Sequence, residues 1–146
     1  MTSLKLLALD TEDLSVVSTH MQDSVFRVGD IDYTPRAKQF ALEVNRFAWE
    51  QAAAGAKTFE RRRALLLFKR VNAVRSVGFD RAKPDEVLSL LAIRFAPNGE
   101  GPDGTLELTL SGKATIALDV ECIEVQPADI GGAWQASSKP NHPDGA

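Results

Sequence analysis

Arg61, Arg62 and Arg63 stand side by side, and Arg75 follows twelve residues after Arg63. They belong to a stretch, Lys57 to Lys83, in which nine bases face only two acids, Glu60 and Asp80, a net +7. The rest of the chain holds eight bases against eighteen acids, a net −10, so the total of −3 conceals two opposed fields. A guanidinium is a planar fork of donors that fits carboxylates and phosphates two bonds at a time. On a strand, Arg61 and Arg63 share one face and Arg62 takes the other. With Arg75 on a neighbouring strand they would form a patch, so Arg61, Arg63 and Arg75 are the candidate binding residues. The competing reading is that these arginines pair with the acids that the remainder carries in excess. For nucleic acid the aromatic component is thin, because Phe59 and Phe68 flank the run without any base-stacking signature.

Other chemistry has less to work with. Acid–base catalysis near neutral pH favours histidine, and the chain has only His20 and His142. His142 lies in a polar tail. His20 sits at the edge of an apolar helical stripe with Gln22 and Asp23 close by, so a pocket there is conceivable, but no nucleophile stands at a recognisable motif. Cys122, the single cysteine, continues the inward side of a strand after Ile116, Leu118 and Val120 and reads as a buried, inert thiol. Asp119, Glu121 and Glu124 are hard oxygen donors, yet carboxylates two apart also mark the solvated face of a strand. The glycines match neither the dinucleotide nor the nucleotide-phosphate spacing. The expectation is no catalytic residue, no metal site and no cofactor.

The elements that must position these residues are legible in part. With 146 residues, 44% hydrophobic and 25% charged, one soluble globular domain is the default, and no apolar run approaches the roughly 20 residues of a membrane helix. A lone cysteine suits a reducing compartment, and a cytoplasmic location is expected. Leu4 to Leu9 reads as a short buried strand ending at Asp10, which with Thr11 can cap a helix. Leu14, Val17, Met21 and Val25 then recur at spacings of three and four, an amphipathic helix over Thr11 to Ser24, with Glu12 and Asp13 at its dipole-favoured start. From Val25 the period becomes two. Val25 to Val28 and Ile31 to Tyr33 flank Gly29-Asp30 as a two-residue hairpin. Thr34 to Lys38 makes the next turn, and Phe40, Leu42 and Val44 alternate in a strand ending near Trp49.

Gln51 to Thr58 has no large apolar residue and reads as a mobile loop. Arg61 to Phe79 fits neither period throughout. A strand to Phe68, a tight turn over Lys69 to Asn72 and a second strand to Phe79 is preferred to a helix. Pro84-Asp85-Glu86 can open one helical turn, and Leu91, Ile93 and Phe95 form a strand up to Pro97. The clearest hairpin joins Leu106, Leu108 and Leu110 through Ser111-Gly112-Lys113 to Ile116, Leu118, Val120 and Cys122. Burying those side chains contributes on the order of 10 kcal/mol before entropy is subtracted. After Val125 the pattern stops, Trp134 can anchor the segment before the tail, and residues 136–146 have the composition of a disordered tail behind a domain over 1–135.

Several stretches, Leu4 to Tyr33, Asn45-Arg46-Phe47-Ala48-Trp49-Glu50, Glu60-Arg61-Arg62-Arg63-Ala64-Leu65, Leu88 to Phe95 and Val120-Glu121-Cys122-Ile123-Glu124, resemble a bacterial family of domain-of-unknown-function proteins. The resemblance spans the chain from Leu4 to Trp134 and implies a single bacterial domain, without activity, substrate or catalytic residues.

The expected fold is α+β: one N-terminal amphipathic helix packed on a mostly antiparallel, curved sheet of about seven or eight strands. A partial barrel resembling pleckstrin-homology-like domains is an option, although such domains carry their long helix at the C-terminal end. The expected role is a non-catalytic binding or assembly domain whose partner is another protein or a second copy. Nucleic-acid or polyanion binding through the basic patch is one alternative, less favoured, and an unrecognised enzyme with a pocket near His20 is another.

Overall fold

The computed structural model describes residues 6–47 and 60–135, and for residue 60 and residues 131–135 the backbone alone. The loop expected over Gln51 to Thr58, the end of a strand near Trp49, the anchoring side chain of Trp134 and the tail over 136–146 lie outside that description. One helix, α1 (Thr11–Met21), precedes nine strands: β1 (Ser24–Arg27), β2 (Ile31–Thr34), β3 (Gln39–Phe47), β4 (Glu60–Phe68), β5 (Val71–Val77), β6 (Val87–Pro97), β7 (Gly104–Leu110), β8 (Thr115–Val120) and β9 (Val125–Gln135). All pairings are antiparallel, in the order β5-β8-β7-β6-β1-β3-β4-β9, with β2 added beside β3. The fold is α+β, with one or two strands more than the periodicity predicts.

The sheet has to curl. Six inter-strand steps separate β5 from β4, a distance of about 29 Å in a flat sheet at ~4.8 Å per step. Yet the chain passes from Phe68 to Val71 through Lys69 and Arg70 alone, a reach of about 10 Å. Arg70 takes a left-handed φ of 61° to make that turn. Three backbone bonds then clasp the two ends: Lys69 N–H to the Glu124 carbonyl, Glu121 N–H to the Arg70 carbonyl and Val71 N–H to the Lys38 carbonyl. The sheet is curved and does not close into a full barrel.

Helix α1 starts where the sequence predicts but ends at Met21, before the expected Ser24, which opens β1. The Asp10 carboxylate accepts the Asp13 N–H at 2.8 Å, and Leu14, Val17 and Met21 are the residues it buries. It lies chiefly on β6 and touches β3. The inward side chains of the strands complete the core: Phe40, Leu42 and Val44 on β3, Ala64, Leu66 and Phe68 on β4, Leu106 and Leu108 on β7, Ile116 and Leu118 on β8. Phe40 and Phe68 meet edge to face at 5.8 Å. In β6 the alternation is broken by a bulge between Leu90 and Ala92, which moves the inward phase from Leu88 and Leu90 to Ile93. Just past it the Ile93 N–H donates to Ser18 Oγ at 3.0 Å, stitching α1 to the strand.

Five local expectations are corrected. Among the described residues of the first segment, Ala8 bridges to Val125 and the Leu6 N–H donates to the Pro127 carbonyl, while Leu7 and Leu9 face outward. The Val25–Tyr33 hairpin does not form: β1 pairs with β3 and β6, β2 pairs with β3, and a 3-10 turn over Val28–Asp30 carries the chain onward in the same direction. Gly29 serves there not by a positive φ but by closeness, since a Cβ on it would stand 3.1 Å from Pro84 Cβ. Asp80 to Glu86 forms turns rather than a helical turn. Lys69-Arg70 does join two strands, but β4 and β5 are not neighbours in the sheet. Strand β9 was hidden by Pro127, Gly131 and Gly132, and by a charged residue, Asp129, at an inward position.

Candidate functional site

The inward stripes of β3 and β4 turn polar at one end. After Phe40, Leu42 and Val44 comes Arg46, and across from it, after Phe68, Leu66 and Ala64, comes Arg62. Arg46 reaches past β4 to β9, where its Nε donates to Asp129 Oδ1 at 2.8 Å and its Nη2 to Oδ2 at 3.0 Å. Both side chains are fully buried, and Arg62 Nη1 lies 3.8 Å from the same carboxylate. Asp129 pairs with Ala64 just where β9 bulges, so the ion pair pins three strands in register. This is the wiring of the fold, with the guanidiniums facing inward.

The opposite face holds a cleft. Between β1 and β3 the sheet is joined by one registered pair, Val25 with Asn45; beyond it the 3-10 turn carries the chain off β3 until Ile31 meets Leu42. The seam opens a cleft of about 160 Å³ lined by Val25, Arg27, Asp30, Glu43, Asn45, Arg63 and Val87, with Phe26 behind. Arg63 projects from β4 opposite Asn45 and donates through Nε to Glu43 Oε1 at 2.6 Å. That bond and the charge of Glu43, with a smaller contribution from Asp30, hold the Arg63 guanidinium above its usual pKa. Asp30 Oδ2 accepts the Arg27 N–H at 3.1 Å. The cleft therefore has two guanidiniums, two carboxylates and a side-chain amide, walled by two valines.

The three candidate arginines do not form one patch. Arg61 is buried opposite Phe47, on the same strand as Arg63. Arg75 lies on β5, which is an edge strand rather than a neighbour of β4, and donates to Asp119 at 2.6 Å. Arg63 alone of the three lines the cleft. Exposed ion pairs of Arg63 with Glu43, Arg75 with Asp119, Lys38 with Glu121, and Lys69 and Arg70 with Glu124 are what the acid excess elsewhere in the chain predicts as the competing reading.

His20 is half-buried in the last turn of α1, and Asp23 is buried with a left-handed φ of 62°. Cys122 is half-buried beyond the end of β8 rather than inside it. Asp119, Glu121 and Glu124 are each occupied by cations, and among the described residues no three His, Cys, Asp or Glu side chains gather as metal ligands. No helix among the described residues is long and apolar enough to cross a membrane. Sequence reasoning missed Arg27, Asp30, Glu43 and Asn45. Glu43 and Asn45 were legible as the outer positions of β3, but the expected hairpin paired β1 with β2 and so kept Arg27 away from them.

Residues 4–142 match the family described as "Protein of unknown function (DUF2948)", and the chain belongs to that family. No curated protein and no solved structure matches it.

Proposed function

We propose that the protein is a single small bacterial, cytoplasmic, non-catalytic domain that binds a ligand or partner through the outer-face cleft at Arg63. The observation that carries this reading is the orientation of Arg63. Glu43 fixes the guanidinium through Nε, and the two terminal amino groups remain for a ligand in a cleft that also holds Arg27. Preorganised forks of this kind recognise carboxylates and phosphates at low entropic cost. Arg61 is buried, and Arg75 belongs to a separate exposed pair.

Polyanion binding draws less support. A phosphate backbone needs a continuous basic track, whereas Arg61 is buried and Arg75, paired with Asp119, lies on the edge strand β5 apart from Arg63. An enzyme near His20 draws on one observation, the left-handed backbone at buried Asp23, since strained residues cluster at functional sites.

The test is affinity capture of the tagged protein from its own cells at low and high salt, with and without nuclease. Wild type is compared with Arg63→Ala and with Arg75→Ala, which breaks a similar ion pair elsewhere. The reading expects species retained by wild type and Arg75→Ala and lost by Arg63→Ala. The same species on all three forms overturns it, and nuclease-sensitive species lost equally from both variants would favour the polyanion alternative.

A further inference from the structure

We infer that the cleft at the seam between β1 and β3 is a site for a small zwitterion, an α-amino acid with a short side chain. The inference rests on the cleft being the binding surface and adds the class of ligand.

Charge balance is the first argument. Arg27 and Arg63 supply two positive charges and Asp30 and Glu43 two negative ones, so the cleft is neutral as a whole while presenting both signs. An anion alone gains from the guanidiniums and loses to the carboxylates. A zwitterion gains from both, because each of its charges can face the opposite sign.

Unused hydrogen-bonding capacity is the second. Arg63 spends Nε on Glu43 and keeps its Nη groups. Among the described residues, the Arg27 guanidinium has no carboxylate partner and the Asn45 amide no hydrogen bond. These are donors for a ligand carboxylate, bidentate from a guanidinium. On the acceptor side, Asp30 uses Oδ2 for the Arg27 N–H and Glu43 uses Oε1 for Arg63, which leaves Oδ1 and Oε2 for an ammonium group. The cleft therefore offers both donors for a carboxylate and acceptors for an ammonium group.

Size and lining are the third. A cleft of about 160 Å³ that opens to solvent has room for a ligand of amino-acid size. Val25 and Val87 form the apolar wall, so the side chain that fits is short and aliphatic. The seam supplies the opening: if β1 had continued along β3, cross-strand pairing would have filled it.

The probe set is L-alanine, L-valine, N-acetyl-L-valine and L-valinamide. The acetyl form has lost the positive charge and the amide the negative one. Titrations are followed by amide proton–nitrogen NMR spectra of wild type, Arg63→Ala and Asp30→Asn. Saturable shifts at Val25, Arg27 and Asn45 are expected with alanine or valine, with Kd on the order of 0.1–1 mM for so small a ligand. Each blocked form should bind at least about tenfold more weakly, as should each variant. Spectra that otherwise overlay those of wild type show that a variant is folded. The idea is overturned if neither amino acid produces saturable shifts, or if the blocked forms bind as well as valine. In that event, loss of captured species by Arg63→Ala would still leave the cleft as a binding surface for another ligand. Failure of both experiments removes the cleft from consideration.

Discussion

Replacing Asp129 by alanine removes a carboxylate that Arg46 grips with two bonds, at 2.8 and 3.0 Å, and from which Arg62 lies 3.8 Å away. Neither Arg46 nor Asp129 exposes any side-chain surface, so water cannot take over the lost interaction without penetrating the sheet. At about 4 Å between charge centres and an effective permittivity of ~20, one such pair interacts by about 4 kcal/mol. The cost of deleting one partner from a buried pair falls in the same range, about 3–5 kcal/mol, because the remaining charge stays desolvated. A domain with a total stability of about 5–15 kcal/mol would lose a large fraction of it. In urea, with a slope of about 2 kcal/mol per M, the midpoint should fall by ~2 M. The assay is urea unfolding followed by far-ultraviolet circular dichroism, with Glu43→Ala as the comparison, since its pair with Arg63 is exposed and worth about 0–1 kcal/mol. A loss at Asp129 no larger than at Glu43, with unchanged slopes, would refute the claim that this pair holds β3, β4 and β9 in register.

Three further outcomes follow from single contacts. Asp10→Ala removes the cap on α1 and should cost about 1 kcal/mol in thermal or chemical unfolding; an unchanged midpoint would mean that the Asp13 N–H finds another acceptor. Gly78→Ala should cost about 1–3 kcal/mol, because φ is +89° and the new Cβ would lie 2.7 Å from Ala114 Cα and 2.9 Å from the Lys113 carbonyl; an equally stable variant would show that the end of β5 can move away from the β7–β8 turn. The hydrogen bond from Lys38, aided by the charges of Lys38 and Arg70, holds the Glu121 carboxyl below its usual value. A lowered pKa in the folded state gives stability that is present above the ordinary carboxylate pKa and is lost as pH falls through the lowered value. Glu121→Gln should therefore be less stable than wild type at neutral pH and converge with it in acid, and an offset that stays constant with pH would contradict the pairing.

Local pattern alone decided much of this protein. The helix was readable because Leu14, Val17 and Met21 repeat at helical spacing behind an acidic cap, both within one stretch of chain. The β7–β8 hairpin was readable because Leu106 to Val120 alternates on both sides of a glycine turn. The opposed charge fields also foretold that many surface arginines and lysines would find acids. Which acid each finds was not readable, since Arg46 meets Asp129 across 83 positions, on a strand whose proline, glycines and inward charge erase its apolar period. The cleft was hidden for a related reason. Its residues come from β1 and the 3-10 turn after it, β3, β4 and β6, and their meeting depends on β1 leaving β3 to join β6. Periodicity records which face a side chain takes; strand order and register are settled by long-range pairing, and only the folded sheet sets Arg63 beside Glu43 and within one cleft with Arg27 and Asp30.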